Sequence, residues 1–264
     1  MLEAALIYLG IGIVAGVMAG LLGVGGGLVI VPALVIAFGI LDIPESVLMH
    51  LAVGTSLATI VVTSIASIRA HHKRGAVRWA DFCSLTPGII VGALAGAAIA
   101  GWLPGDGLRM LFGLFALSVA AQMGFGLKPA PDRQLPGTLG MNSAGGLIGL
   151  VSAVVGIGGG SMTVPFLTWC NVPVRQAVAT SAACGLPIAV AGAFGFVLTG
   201  WGKADLPDLS SGFVYWPAFA GIVATSMLFA GVGAKLAHTL PTDILKKVFA
   251  LFLCGIGLYL FLGS

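Results

Sequence analysis

Gly23-Val24-Gly25-Gly26-Gly27, four residues, then Pro32; and again Gly156-Ile157-Gly158-Gly159-Gly160, four residues, then Pro165: the chain writes one glycine-rich phrase twice. A second echo follows each, Ala52-Val53-Gly54-Thr55-Ser56 and Ala177-Val178-Ala179-Thr180-Ser181. The sequence therefore reads as an internal duplication. Its seam is the polar, proline-rich stretch Lys128 to Gly137, which divides the chain into a first repeat, 1–127, a connector, 128–137, and a second repeat, 138–264.

The surroundings of these phrases set the solvent. Of 264 residues, 58% are hydrophobic and 8% charged, and the mean hydropathy is +1.10. Soluble domains carry roughly a quarter charged residues, so too little polar surface is present to cover a body in water. Disordered, coiled-coil and collagen-like classes fall by the same numbers. Four cysteines in this length are few for a disulfide scaffold, and Cys170, Cys184 and Cys254 lie within or beside apolar runs. The net charge of +3 comes from basic residues scattered in short loops, with no basic stripe for nucleic acid. What remains is an all-α polytopic membrane protein, and its 41 glycines fit that class because small residues let helices approach closely in lipid. The N-terminal stretch lacks a basic start and a cleavage site and carries Glu3, so it reads as a retained first helix.

Ten apolar segments separate the charge clusters: residues 4–22, 28–40, 47–68, 82–102 and 108–127 in the first half, then 138–155, 161–169, 176–198, 213–236 and 244–262. Eight are long enough to span roughly 30 Å of hydrocarbon at about 1.5 Å per residue. Two are not: 28–40 covers about 20 Å and 161–169 about 14 Å. Each short segment directly follows a glycine cluster.

The basic residues arbitrate whether the short segments reverse the chain, because cytoplasmic loops collect Lys and Arg. If they do, and the N-terminus lies outside, Arg69, Lys73, Arg74, Arg78, Lys128, Arg133, Arg175, Lys235, Lys246 and Lys247 fall inside and only Arg109 and Lys203 outside. Ignoring the short segments splits the same residues seven to five. The first arrangement predicts both termini outside and five segments per half. An odd number inverts the second half relative to the first. Eight long transmembrane helices plus two short broken or re-entrant segments, in two inverted repeats, is the pattern in which secondary transporters build a midplane substrate site.

Chemically, a glycine-rich break at membrane depth must be buried in protein or line a wet cavity. If half-helices begin at Leu28 and Ser161, the amides of Gly25, Gly26, Gly27 and Leu28, and of Gly158, Gly159, Gly160 and Ser161, are free donors at positive helix ends, which favour anions. Pro32 and Pro165 cannot donate to the carbonyls of Leu28 and Ser161, leaving those oxygens for water, a side chain or a cation. The hydroxyls of Thr55, Ser56, Thr180 and Ser181 are candidate donors to an oxyanion. The competing reading makes the clusters a packing device for close helix crossing. Ser161 and Thr163 have no counterparts in the first half, where Leu28 and Ile30 stand, so the pocket is expected to be asymmetric.

All nine acidic residues lie at segment ends or in loops, which leaves no buried carboxylate relay for proton coupling. His50 is the one titrating group near an apolar span and reads best as an interfacial, hydrogen-bonded histidine. No metal-ligand spacing, cofactor fingerprint or catalytic constellation stands out, so neither a metal, a cofactor nor an enzyme is expected. A cavity lined by neutral donors suits an anion that must also leave. With the inside negative, moving one negative charge outward gains about 2.3 kcal/mol per 100 mV, so export needs no further coupling.

The paired GxGGG…P clusters at 23–32 and 156–165, each with its A-x-x-T-S echo, resemble the TauE/SafE family of sulfite and organosulfonate permeases, over nearly the whole chain. The resemblance implies a bacterial inner-membrane protein that moves a small sulfur-containing oxyanion, often outward. Its glycine motifs correspond here to Gly23, Gly25, Gly26, Gly27 and Pro32, and to Gly156, Gly158, Gly159, Gly160 and Pro165. Expected partners are that anion and membrane lipid. A passive anion channel of the same fold and a membrane scaffold whose glycines only pack helices are the rival readings. Ala179 stands where the first half has Gly54, a departure between the two Thr-Ser echoes.

Overall fold

The computed structural model describes residues 2–22, 26–125, 134–236 and 242–262. Gly23 and Gly25, and most of the expected connector, lie outside the described residues. Among those described, ten helices follow one another: α1 Leu2–Leu22, α2 Gly27–Ile40, α3 Glu45–His72, α4 Trp79–Trp102, α5 Gly105–Gly124, α6 Thr138–Val155, α7 Gly160–Trp169, α8 Val174–Gly200, α9 Trp216–Leu236 and α10 Thr242–Leu262. Long uncharged runs make helices because in lipid each backbone amide must find its acceptor within the segment. Six of the helices, α3, α4, α5, α6, α8 and α9, are long and apolar enough to cross a membrane. α2 and α7, of 14 and 10 residues, rise only about 21 and 15 Å. This is a nearly all-helical, polytopic membrane protein.

Glycine decides which helices lie together. Gly88, Gly92 and Gly96 recur every fourth residue along α4 and press on the backbone carbonyls of Asn142, Gly146 and Leu150 in α6. Gly12 and Gly16 of α1 meet Ile222 and Ser226 of α9 in the same way. Since lipid gives no hydrophobic drive for helix association, such close backbone approach and its dispersion energy hold the pairs. α5 packs on α10 through Gly113 and Gly257, and α3 crosses α8 at the centre. Exchanging α1–α5 with α6–α10 maps these pairings onto themselves.

One element departs from the sequence reading. The ten-segment reading placed residues 213–215 inside its ninth segment, whereas Phe213 lies in the turn and Val214 and Tyr215 in the second strand of a short hairpin, β1 Ser210–Ser211 with β2 Val214–Tyr215. Leu209 and Gly212 take positive φ, and the Phe213 amide donates to the carbonyl of Phe196 on α8. Phe213 and Val214 are consequently buried between α3 and α8 although they belong to a loop. In the first half, the shorter α3–α4 connector tucks Ala76 and Val77 against Ala179 and Ala183 of α8.

Candidate functional site at the helix breaks

The second glycine cluster is a true interruption. α6 ends at Val155 and Gly156 adopts φ +76°, a left-handed conformation that a side chain resists. Residues 157–159 are not helical, and α7 starts at Gly160 with Gly159 as its N-cap. The amides of Met162 and Thr163 return to the Gly159 carbonyl at 3.3 and 2.8 Å. Gly160 and Ser161, in the first turn, have no helical acceptor for theirs. In the first half, Gly26 is the matching N-cap of α2, and the amides of Val29 and Ile30 bond its carbonyl at 3.0 and 2.8 Å.

The two breaks touch. A Cβ on Gly27 would stand 2.7 Å from the Gly156 carbonyl oxygen and 2.8 Å from Ile157 Cα, so only glycine permits the contact. Ser56 of α3 donates to that same Gly156 carbonyl at 2.9 Å. Ile60, one turn further along α3, lies against both Gly27 and Gly158. The structure thus brings Gly27, Ser56, Gly156 and Gly158 together, from both ends of the chain.

Thr55 and Thr180 are placed differently. Thr55 Oγ1 accepts the amide of Tyr215, and Thr180 Oγ1 accepts the amide of Arg78, both at 3.0 Å. Each therefore anchors the loop of the opposite half, and its oxygen is engaged with backbone. Ser161, Thr163 and Ser181, in contrast, have buried hydroxyls without a hydrogen-bond partner among the described residues. Thr163 and Ser181 are 0% and 1% exposed. Pro32 and Pro165 lie inside α2 and α7, each five residues past its helix's first residue, where the ring withholds one backbone donor.

The halves also differ in cover. Ten residues of α2 are buried, from Gly27 to Phe38, whereas in α7 only Thr163 and Leu167 are, and Gly160 and Ser161 are half-buried. Gly159 approaches Gly185 of α8 closely, and a Cβ on Gly185 would lie 3.2 Å from Ser64 Oγ of α3. Ser64 and Gly185 were not singled out by sequence reading, since no echo marks them.

His50 is set at the other end of α3. Its Nε2 donates to the carbonyls of Ala100 and Leu103 at 3.0 and 3.1 Å, capping α4, and its ring stacks on Phe213 with centroids 4.8 Å apart. With Ser46, Lys203 and Asp205 it lines a cavity of about 330 Å³. Asp81, in the first turn of α4, is buried and ion-paired to Arg78. Among the described residues, no cluster of three metal-ligating side chains occurs.

Among the described residues, ten packed helices, with the short α2 touching the glycine interruption before α7, define a multi-pass membrane protein. The family model described as sulfite exporter TauE/SafE matches residues 8–260, and the chain belongs to that family. It is 41% identical, over 97% of its length and 98% of the relative's, to a probable membrane transporter protein of Haemophilus influenzae. A probable membrane transporter protein of Methanocaldococcus jannaschii is 29% identical, over 96% of this chain and 93% of its own. One from Xylella fastidiosa is 27% identical, over 98% and 95%. No solved structure matches the chain. The protein is a membrane transporter.

Proposed function

We propose that this transporter is a secondary carrier for a small sulfur-containing oxyanion, sulfite or an organosulfonate, which it exports across the bacterial inner membrane by alternating access. The observation carrying the reading is the start of α7, whose first-turn amides have no helical acceptor and where the buried hydroxyls of Ser161 and Thr163 have no partner among the described residues. Positive helix ends and neutral donors hold an anion without a fixed countercharge, so it can be released again. The family description and the sulfur chemistry it names support the substrate class.

Two inverted five-helix repeats, 1–127 and 138–264 joined by 128–137, supply the mechanism. The pairings α1 with α9, α4 with α6, α5 with α10 and α3 with α8 are unchanged when the halves are exchanged, which supports a two-fold relation between the repeats. The ten-to-two distribution of basic residues supports both termini lying outside. In such a molecule the half that is sealed and the half that is open trade roles as the carrier turns. The membrane potential then drives the anion outward by about 2.3 kcal/mol per charge per 100 mV.

Proteoliposomes offered sulfite, thiosulfate, sulfate and sulfonates under set potentials test this. Saturable flux of a sulfur oxyanion, accelerated by a potential negative on the side it leaves, is the expected result. Flux that never saturates identifies a channel, and no flux of any of the four removes the substrate assignment.

A further inference from the structure

The sequence repeats its glycine clusters, yet the two breaks are not chemically equivalent. Aligning Gly26 with Gly159 sets Leu28 opposite Ser161 and Ile30 opposite Thr163. The structure keeps this register. A Cβ on Gly26 would meet Ile30 Cδ1 at 3.0 Å, and a Cβ on Gly159 would meet Thr163 Oγ1 at 3.1 Å. At one geometric position the first half presents a methyl group and the second a hydroxyl.

The same asymmetry holds for what surrounds each break. Aligning Thr55 with Thr180 sets Ile60 opposite Gly185. Ile60 lies against Gly27 and also reaches Gly158 of the second break, but beside Gly159 the matching position, Gly185, has no side chain, and a Cβ there would meet Ser64 Oγ of α3. At the start of α2, Gly27 is packed on by Gly156, Ile157 and Ile60. The second carries Thr163, fully buried with no partner for its Oγ1 among the described residues. An unmet buried hydroxyl costs about 1–3 kcal/mol, and three near one helix start are hard to explain by folding alone.

We infer that the protein has one anion site rather than a symmetry-related pair, and that it belongs to the second half. The amides of Gly160 and Ser161 and the hydroxyls of Ser161, Thr163 and Ser181 form it, with Ser64 facing from α3. The first break serves as the packed counterpart against which α7 moves. Thr163 is the residue that sets affinity for an oxyanion, because its hydroxyl is fully buried beside Gly159 without a partner among the described residues. This inference rests on the proposed anion transport and specifies where it occurs.

The test pairs Thr163→Val with Thr163→Ser in sulfite flux measurements and thermal melts. Removing an unengaged buried hydroxyl isosterically is expected to leave the melting temperature unchanged or higher, while KM for sulfite rises about tenfold, the weight of one hydrogen bond to an ion. Thr163→Ser keeps the hydroxyl and is expected to keep the affinity. A Val variant with unchanged KM overturns the single-site inference and leaves anion transport standing. A wild-type protein that moves no sulfur oxyanion overturns the transport reading, and labelling then decides the site. In a chain with its four cysteines replaced, Ser161→Cys is expected to react faster with a sulfonate-bearing methanethiosulfonate than with a neutral one. Equal or slower reaction with the anionic reagent overturns the site.

Discussion

Thr55 Oγ1 accepts the backbone amide of Tyr215 across 160 positions of sequence, and Thr180 Oγ1 accepts that of Arg78 in the same geometry. Tyr215 precedes α9 and Arg78 precedes α4, so each half uses its threonine to hold the loop that enters the other half. The duplicated Thr-Ser echo thereby has a first role in joining the halves. Thr55→Val and Thr180→Val each leave a loop amide without its acceptor. Each is expected to cost about 1–2 kcal/mol of stability. Thermal melts in detergent should fall for both, while KM for the transported anion stays at the wild-type value; a raised KM with a normal melt would place these hydroxyls in the binding site instead.

The position preceding each threonine carries the departure between the repeats. A Cβ on Gly54 would fall on the carbonyl of Phe213, which the hairpin pushes against α3. Ala179 instead packs its methyl on Ala76 and Val77 of the shorter connector. Gly54→Ala is expected to destabilise by about 1–3 kcal/mol or more, because backbone cannot move aside as a side-chain tip can. Ala179→Gly is expected to cost about 1 kcal/mol from lost packing and added chain freedom. Comparing the yield and melting of the two variants checks the asymmetry.

The glycine stripe of α4 gives a sharper contrast. A methyl on Gly92 meets the Gly146 carbonyl of α6, whereas Gly255, in the middle of α10, has open space around its missing Cβ. Gly92→Ala is expected to abolish most of the folded, monodisperse protein on size-exclusion chromatography. Gly255→Ala is expected to leave it unchanged, or up to about 1 kcal/mol more stable.

His50 ties three elements at one end of the molecule, capping α4 through Ala100 and Leu103 and stacking on Phe213 of the hairpin. His50→Leu keeps the bulk and removes the donor that two carbonyls share. The expected loss is about 1–3 kcal/mol, read as a lower melting temperature. His50→Gln, which retains an N–H, is expected to recover part of it.

The membrane environment, the helical class and the starts of the two short helices, α2 and α7, were legible in the chain. Each follows from local chemistry: apolar runs too long and too uncharged for water, and glycine clusters beside proline that interrupt a helix wherever they occur. The expected asymmetry at Ser161 and Thr163 was legible for the same reason, as a difference in residue type at matched positions. Which hydroxyls are engaged was not. Thr55 and Thr180 find their partners in loops of the opposite half, and Ser56 finds its partner in the carbonyl of Gly156, 100 residues away. The hairpin at 210–215 was hidden too, because Phe213, Val214 and Tyr215 are as apolar as the helix that follows and only the bond to Phe196 and the turn at Gly212 separate them. Sequence by itself determined the solvent, the segments and their repetition, since these depend on residues adjacent in the chain. Tertiary structure alone decided that Gly27 packs on Gly156, Ile157 and Ile60 while Ser161, Thr163 and Ser181 keep buried hydroxyls without partners among the described residues, since that depends on which distant groups the helix crossings bring together.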